Sequence, residues 1–167
     1  DLYLNRLGYS FKNDNYEFSN YINLKNKKIN LIMDVGSSPN RKFSNDYQAG
    51  ALSFEFISNG KKILTNGGYF NKNNYKLSNL SRSSAVHNVL TIDDNSSCKF
   101  KKKSNFKFEI KEGLTVIKKK VIYEKNYWKI SSAHDGYLKK YNVFYERDIE
   151  FYPNENKLIG LEKIFGK

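Results

Sequence analysis

The sequence predicts an all-β domain, an antiparallel β-sandwich built from two sheets. Two observations indicate this fold class: apolar and polar residues alternate in several segments, and turn-forming residues separate those segments at short spacing. A third is that no stretch shows the 3.6-residue period of a long helix. At 167 residues the chain has the length of a single domain with a real core, so we assign residues 1–167 to one unit.

Alternation defines the predicted strands in order along the chain. The positions that share one face are Ile29, Leu31, Met33 and Val35; Leu52, Phe54 and Phe56; Phe106, Phe108 and Ile110; and Val143, Tyr145, Arg147, Ile149 and Phe151. Trp128 alternates with Ile130, which favours core packing for the only tryptophan, with sugar stacking as the alternative.

Turns are predicted where Asn or Asp often stands beside Gly, Pro or Ser, at residues 37–40, 58–61, 66–68, 93–97, 111–113 and 153–157. The lysine-rich residues 99–104 are interpreted as a solvated loop or strand edge, where lysines also discourage edge pairing.

Composition restricts the function classes. The formal net charge is +12, which favours a polyanionic partner, either nucleic acid or an acidic polysaccharide. Lysine outnumbers arginine 25 to 4 and asparagine is common, a pattern that an AT-rich genome also produces. Specific nucleic-acid recognition is disfavoured because it uses more arginine forks.

Several other features are excluded or limited by the residue counts. The single cysteine, Cys98, cannot form an internal disulfide, and one Cys with two His cannot make an ordinary closed zinc site. No apolar run is long enough for a membrane-spanning helix. The first residues contain neither an initiator Met nor a signal-peptide core, so we expect the chain to be the interior or C-terminal part of a longer protein.

Four segments, in order, resemble the C-terminal β-sandwich of heparinase II/III-like proteins, which are polysaccharide lyases. They are ALSFEFISNGKKILTNGGYF, RSSAVHNVLTIDDNSS, AHDGYLKKYNVFYERDIEF and KLIGLEKIFG. They are similar to the family patterns H-x-H-x-D-x-L-S-F-E with D-S-G, R-x-T-x-A-H-N-T-L-x-I-D, H-D-G-Y with H-x-R, and x-L-x-G-x-D. LNRLGY and INLIMDVGSSP look like the family's first strands.

The resemblance implies a lyase that cleaves uronic-acid polysaccharide by β-elimination. A base removes the proton alpha to the uronate carboxylate, whose charge is neutralised, and the glycosidic oxygen leaves from the 4-position. It further implies an upstream α/α toroid that supplies an Asn or His and a Tyr, a catalytic His from the sandwich, and a periplasmic or envelope location. The family's structural zinc is held by the second His of H-x-H, the Asp of D-S-G and the His of A-H-N.

The sequence departs from the family at these positions. Without gaps, the H-x-H positions fall on Asp46 and Gln48, and a short deletion after Gln48 aligns equally well, but neither alignment supplies a histidine. The D-S-G aspartate is replaced by Asn66, so His87 is the only retained zinc ligand. We therefore predict no zinc and no other cofactor.

The candidate catalytic residues are Tyr47, His87 and His134. Tyr47 is a phenolic acid/base candidate or a packed aromatic; His87 lines a cleft or holds a turn to Asn66. His134 acts with Asp135 as an acid/base or sugar-binding pair, or it caps a strand at the Asp135-Gly136 turn.

Four further residues are candidates for substrate binding: Gln48, Arg82, Asn88 and Arg147. Lys102 and the two arginines could pair with uronate or sulfate groups, and surface solvation is the alternative. The resulting hypotheses are a lyase acting on acidic polysaccharide, and a non-catalytic glycan-binding or envelope-assembly protein on the same scaffold. Charge-driven nucleic-acid binding is a third, and it requires a steep salt dependence.

Overall fold

A computed structural model describes residues 6–8, 16–70, 74–104 and 107–166. Its strands are β1 Glu17–Phe18, β2 Tyr21–Lys25, β3 Ile29–Asp34, β4 Phe54–Ser58, β5 Lys61–Leu64, β6 Lys99–Ser104, β7 Lys107–Glu112, β8 Val116–Tyr123, β9 Trp128–His134, β10 Val143–Tyr152 and β11 Lys157–Gly166. Two short helices, α1 Tyr75–Leu80 and α2 Leu138–Tyr141, and two 3-10 turns, Arg41–Phe43 and Ser84–Val86, lie between strands.

The strands form two main antiparallel sheets and a small third one. The first sheet has the order β1-β2-β3-β4-β5, and the second has the order β11-β10-β9-β8. The pair β6-β7 makes a separate two-stranded sheet, which the two-sheet prediction did not contain. The all-β sandwich predicted from the alternating segments is confirmed.

The core lies between the two main sheets. Alternate residues of β2 and β3 are fully buried on one side, and Trp128, Ile130 and Ile149 are buried on the other. Aromatic contacts join the layers, since the ring centroid of Phe151 lies 5.4 Å from that of Phe56 and 5.1 Å from that of Trp128. Core packing of the tryptophan is therefore confirmed.

The predicted inward positions are buried wherever the structure describes them, except the half-buried Val143. Phe106 lies outside the described residues. Leu52 differs from the strand expectation: its side chain is fully buried, but its φ of 67° places it before β4 in a left-handed turn. The backbone of Leu52 donates to Asp34 O at 2.8 Å, so this turn ties the loop to the end of β3.

Short turns close the hairpins. The predicted turn at 58–61 is confirmed, with positive φ at both Asn59 (48°) and Gly60 (75°), as the tight two-residue turn between twisted strands requires. Lys99–Ser104 is a strand whose lysines are all exposed, which fits the strand-edge interpretation. The two α-helices have 6 and 4 residues and are too short to show a period in the sequence.

Candidate functional site

A cleft of about 240 Å³ lies on the outer face of the five-stranded sheet. Residues on β2, β3 and β4 whose side chains alternate with the buried ones form its floor, namely Tyr21, Ile32, Asp34 and Glu55. The strand register places Tyr21 opposite Asp34 and Ile32 opposite Glu55. The walls come from three loops and contain Gln48, Gly50, Ser53, Asn66, Gly68 and His87.

Three predicted positions, Gln48, Asn66 and His87, meet in this cleft. They are the positions that the resemblance relates to the family's zinc ligands. Residues far apart in the chain thus reach one wall because the loops before β4, after β5 and after the second 3-10 turn all return to the same sheet face.

The donor set of this wall does not fit zinc. Gln48 and Asn66 offer only neutral carboxamides, which compensate the charge of Zn²⁺ poorly. The Oδ1 atom of Asn66 already accepts the backbone N–H of Asn88 at 3.3 Å. In the described parts of the chain, no group of three or more His, Cys, Asp or Glu side chains is arranged to hold a metal ion.

His87 presents a half-buried imidazole to the cleft. Its Nε2 atom is buried and has no hydrogen-bond partner among the described residues. A Cβ atom built on Gly50 would lie 3.2 Å from the ring, so the imidazole packs directly on the Gly50 backbone. Burial lowers the pKa of His87, against a backbone hydrogen bond with Ser81 that raises it, so the ring is neutral at neutral pH. Asn66 does not bond to His87; it bonds to the next residue.

Asp34 and Glu55 are cleft residues that sequence reasoning missed. Asp34 accepts the Gly36 N–H at 2.9 Å, and burial raises the pKa of its carboxyl group to about 6. Glu55 accepts the Thr65 hydroxyl at 3.2 Å. Their signal in the sequence was their place on the outward side of two alternating segments, which marks them as polar residues on a sheet face but not as neighbours.

Tyr47 is not part of the cleft lining. Its hydroxyl accepts from Ser38 Oγ at 3.3 Å, and its ring packs against Phe100 with centroids 6.3 Å apart. Burial raises the pKa of this phenol, which makes proton loss harder. The placement matches the packed-aromatic alternative.

His134 lies in the core, with 1% of its surface exposed. Its Nδ1 atom accepts the Gly136 N–H at 3.1 Å, and its ring packs against Tyr137 and Tyr145. Burial lowers the pKa of His134 to about 4, with a smaller contribution from the charge of Arg147. A neutral imidazole that closes the Asp135-Gly136 turn corresponds to the structural alternative.

The predicted substrate contacts of Arg82, Asn88 and Arg147 conflict with their placement, because their polar groups are engaged inside the protein. Arg82 is fully buried and donates to Tyr47 O at 2.9 Å and Tyr69 Oη at 3.1 Å. Asn88 bonds both backbone groups of Phe54. The surface-solvation alternative is wrong for both arginines.

Arg147 is 5% exposed and binds a carboxylate and a carbonyl. Its guanidinium pairs with Glu162 at 2.7 Å and donates to Leu52 O at 2.7 Å. The alternating pattern along β10 placed Arg147 on the inward face, and this position in the sequence already indicated that the side chain is buried. Lys102, a further candidate, places its ammonium 4.9 Å from the Tyr75 ring centroid.

The family described as heparinase II/III-like, C-terminal, matches residues 13–167. The chain belongs to this family. No curated protein matches the sequence.

A solved structure described as a heparinase III gene product with methylated lysines shares the fold of this family member. Its TM-score is 0.63 at 16% sequence identity, and the match covers 92% of this chain. At that identity the likeness shows the fold alone. The chain spans 22% of the length of that structure.

Proposed function

We propose that this heparinase II/III-like chain contributes the sugar-binding β-sandwich of a protein that cleaves uronic-acid polysaccharide by β-elimination. The cleft on the outer sheet face carries the proposal. It combines two carboxamides, an imidazole and two carboxylates with the exposed ring of Tyr21, and hydrogen-bonding groups beside an aromatic surface suit a sugar.

The electrostatics of the cleft restrict how a uronate would sit. No Lys or Arg is among the lining residues, while Asp34 and Glu55 are. A uronate carboxylate facing the floor would meet like charge, so we expect the floor to receive hydroxyl groups and the carboxylate to point outward. The carboxamide of Gln48 can bind such a hydroxyl, since it forms no side-chain hydrogen bond with the described residues.

β-Elimination also requires charge neutralisation and a base. The half-buried ring of His87, whose pKa burial lowers, is the base that we propose among the cleft-lining residues. Carboxylate neutralisation must come from outside the lining, and an upstream toroid domain is the source we propose. We expect no zinc in the site.

A non-catalytic glycan-binding role is the second candidate. The presence of Gln48 and Asn66 where the resemblance implies a His and an Asp, together with the absence of cations from the lining, favours it. Both candidates use the same cleft and differ only in whether the bound sugar reacts.

The deciding experiment incubates the intact protein with alginate, heparan sulfate and other uronans. Absorbance of the unsaturated sugar reports elimination, and calorimetry reports binding. We expect Gln48→Ala to weaken oligosaccharide affinity by about 5- to 10-fold, the value of one hydrogen bond. Asn154→Ala, in the exposed turn between β10 and β11, is the matched control. Binding without any absorbance rise would favour the non-catalytic role, and no binding to any uronan would contradict both.

A further inference from the structure

A second groove, of about 540 Å³, lies between the 3-10 turn Arg41–Phe43 and the β6–β7 hairpin. Its charged lining consists of Arg41, Lys42, Lys103, Lys107 and Glu109. We call it the basic groove. It differs from the cleft, whose lining contains carboxylates and no cation.

The positive charge of the basic groove is only partly balanced. Glu109 is its single carboxylate, and it is shared by Lys101 at 2.8 Å and by Arg41 and Lys103 at 4.0 Å. Lys42 and Lys107 are exposed and form no ion pair with the described residues. The groove therefore carries an excess of cations available to an anionic ligand.

The backbone beneath these cations is fixed by contacts of the hairpin with the body of the protein. Ile110 N donates to Ser44 Oγ at 3.0 Å, and Arg41 Nε donates to Ile110 O at 3.3 Å. The buried guanidinium of Arg82 lies 4.8 Å from the Phe108 ring centroid. A pre-organised arrangement lowers the entropy lost when a ligand binds.

The basic groove and the cleft share neighbouring residues of the loop between β3 and β4. Asn45 lines the groove and Gln48 lines the cleft, and three residues can separate their Cα atoms by at most about 11 Å. One extended polymer chain can thus reach both.

We propose that the basic groove is a subsite for the acidic groups, carboxylate or sulfate, of a polysaccharide chain that extends out of the cleft. This inference rests on the proposed function of the cleft. Lysine suits it because an ammonium group binds a single anionic group from any direction, without the planar geometry of a guanidinium.

A single-stranded nucleic acid fits the basic groove less well. Stacking of bases needs free aromatic faces. Tyr75, which lies beside the hairpin, is already stacked on Phe108 at 5.5 Å and has the ammonium of Lys102 over its ring. The groove also contains only one arginine, Arg41.

The test compares two triple variants of the intact protein. The groove variant is Lys42→Gln, Lys103→Gln and Lys107→Gln. The control variant is Lys27→Gln, Lys61→Gln and Lys62→Gln. These three exposed lysines lie near the β2–β3 and β4–β5 turns, at the opposite end of the five-stranded sheet from the loop that contains Lys42. The variants lose the same charge, and equal melting temperatures would show that both are folded.

Affinity for heparan sulfate and for alginate is measured over a range of salt concentrations. We expect the groove variant to bind about tenfold more weakly at low salt, as the loss of three exposed charge contacts predicts, with a shallower salt dependence. The control variant should stay within about twofold, below the value of one such contact. A loss with both polymers indicates recognition of either anion, and a loss with heparan sulfate alone indicates sulfate.

Two results would overturn the inference: equal weakening in both triple variants, or single-stranded DNA of matched charge binding as tightly as the polysaccharides. Gln48→Ala separates this inference from the proposed function. If it has no effect while the groove variant weakens polymer binding, the cleft proposal fails, and the groove binds acidic polymer without being a subsite of the cleft. If Gln48→Ala weakens binding and the groove variant does not, the groove inference fails alone.

Discussion

Arg82 shows how far the role of a residue depends on its neighbours. Its guanidinium is enclosed by the rings of Tyr69, Phe100 and Phe108, at 5.2, 5.9 and 4.8 Å from its central carbon, and holds the Tyr47 carbonyl. The same side chain therefore connects the loop that leads into the cleft with the hairpin that carries the basic groove.

We expect Arg82→Ala to lower the free energy of unfolding by about 3 kcal/mol, because two charge-assisted hydrogen bonds and the aromatic contacts are lost. Arg82→Lys should fall between this variant and the wild type, since it keeps the charge but not both bonds. Urea denaturation measures the change. Unchanged stability with lost polysaccharide binding would restore Arg82 as a substrate contact.

Asp34 makes the stability of the protein depend on pH. Its pKa in the folded protein, about 6, lies above the ordinary value of 3.8, so the folded state holds this proton more tightly than the unfolded state. The contribution of Asp34 to stability is therefore full below pH 3.8 and is lost as the pH rises through about 6.

Asp34→Asn should remove this loss while keeping an oxygen acceptor for Gly36 N–H. We expect its stability relative to the wild type to rise by about 2–3 kcal/mol between pH 4 and pH 7. Denaturation at several pH values measures the difference, with Asp94→Asn on an exposed turn as the control. Parallel curves for Asp34→Asn and the wild type would show that Asp34 is not desolvated.

At the scale of secondary structure, the outer face of the sheet formed by β8, β9, β10 and β11 carries a row of alternating acidic and basic side chains, which we call the ladder. Asp148 on β10 binds Lys129 at 3.2 Å and Lys163 at 2.9 Å. Glu146, two residues earlier, binds Lys118 at 2.7 Å and Lys163 at 3.1 Å. These cross-strand pairs link all four strands and replace the apolar contacts that the inner face uses.

Asp148 gives the ladder an acid dependence of opposite sign to that of Asp34. Burial raises the pKa of Asp148, but the hydrogen bonds from Ser131, Lys163 and Lys129 outweigh this effect and lower it to about 2. Its stabilising contribution is complete above pH 3.8 and is lost as the pH falls through about 2.

Asp148→Asn should destabilise the protein by about 1 kcal/mol at pH 7, a value reduced for the partial exposure of both lysines. The difference from the wild type should be mostly lost near pH 2, where about half of the wild-type carboxyl groups are also protonated. Thermal melts at pH 2–7 measure it. Glu155→Gln, which removes an exposed pair with Lys157 at 3.9 Å, should change stability by less than about 0.5 kcal/mol. Equal effects of the two substitutions would contradict the importance of the ladder.

At the scale of the whole molecule, charge is distributed unevenly over a protein with a net charge of +12. Cations accumulate around the β6–β7 hairpin, while the cleft is lined by carboxylates and neutral groups. Within the described residues, no helix is long and apolar enough to span a membrane.

The stability of the sandwich should not depend on zinc. Gln48 and Asn66 place neutral carboxamides at two positions that the resemblance relates to the family's zinc ligands. We expect the melting temperature to remain unchanged when zinc is added or a chelator is applied. Zinc at 100 times its Kd would stabilise the folded state by about 2.7 kcal/mol and raise the melting temperature by several degrees. Such a rise, absent in His87→Ala, would show that the cleft binds zinc despite its ligands.

The prediction from sequence was strongest for the strands. Alternation placed Leu31, Met33 and Ile149 inside because successive strand residues point to opposite faces, a property of the local backbone. The family could also be identified from the sequence, since its motifs occur in the same order along the chain. The separate β6–β7 sheet could not be predicted, because the partner of a strand depends on which sheet edge is free after the larger sheets have formed.

The sequence by itself determined the all-β class and the inward residues of the strands, since both depend on residue type and local spacing. Only the tertiary structure decided that Gln48, Asn66 and His87 share a cleft with Asp34 and Glu55, and that Arg82 and Arg147 are buried. Those facts depend on contacts between distant segments. Their free energy comes from burial and from hydrogen bonds that exist only after the sheets have packed.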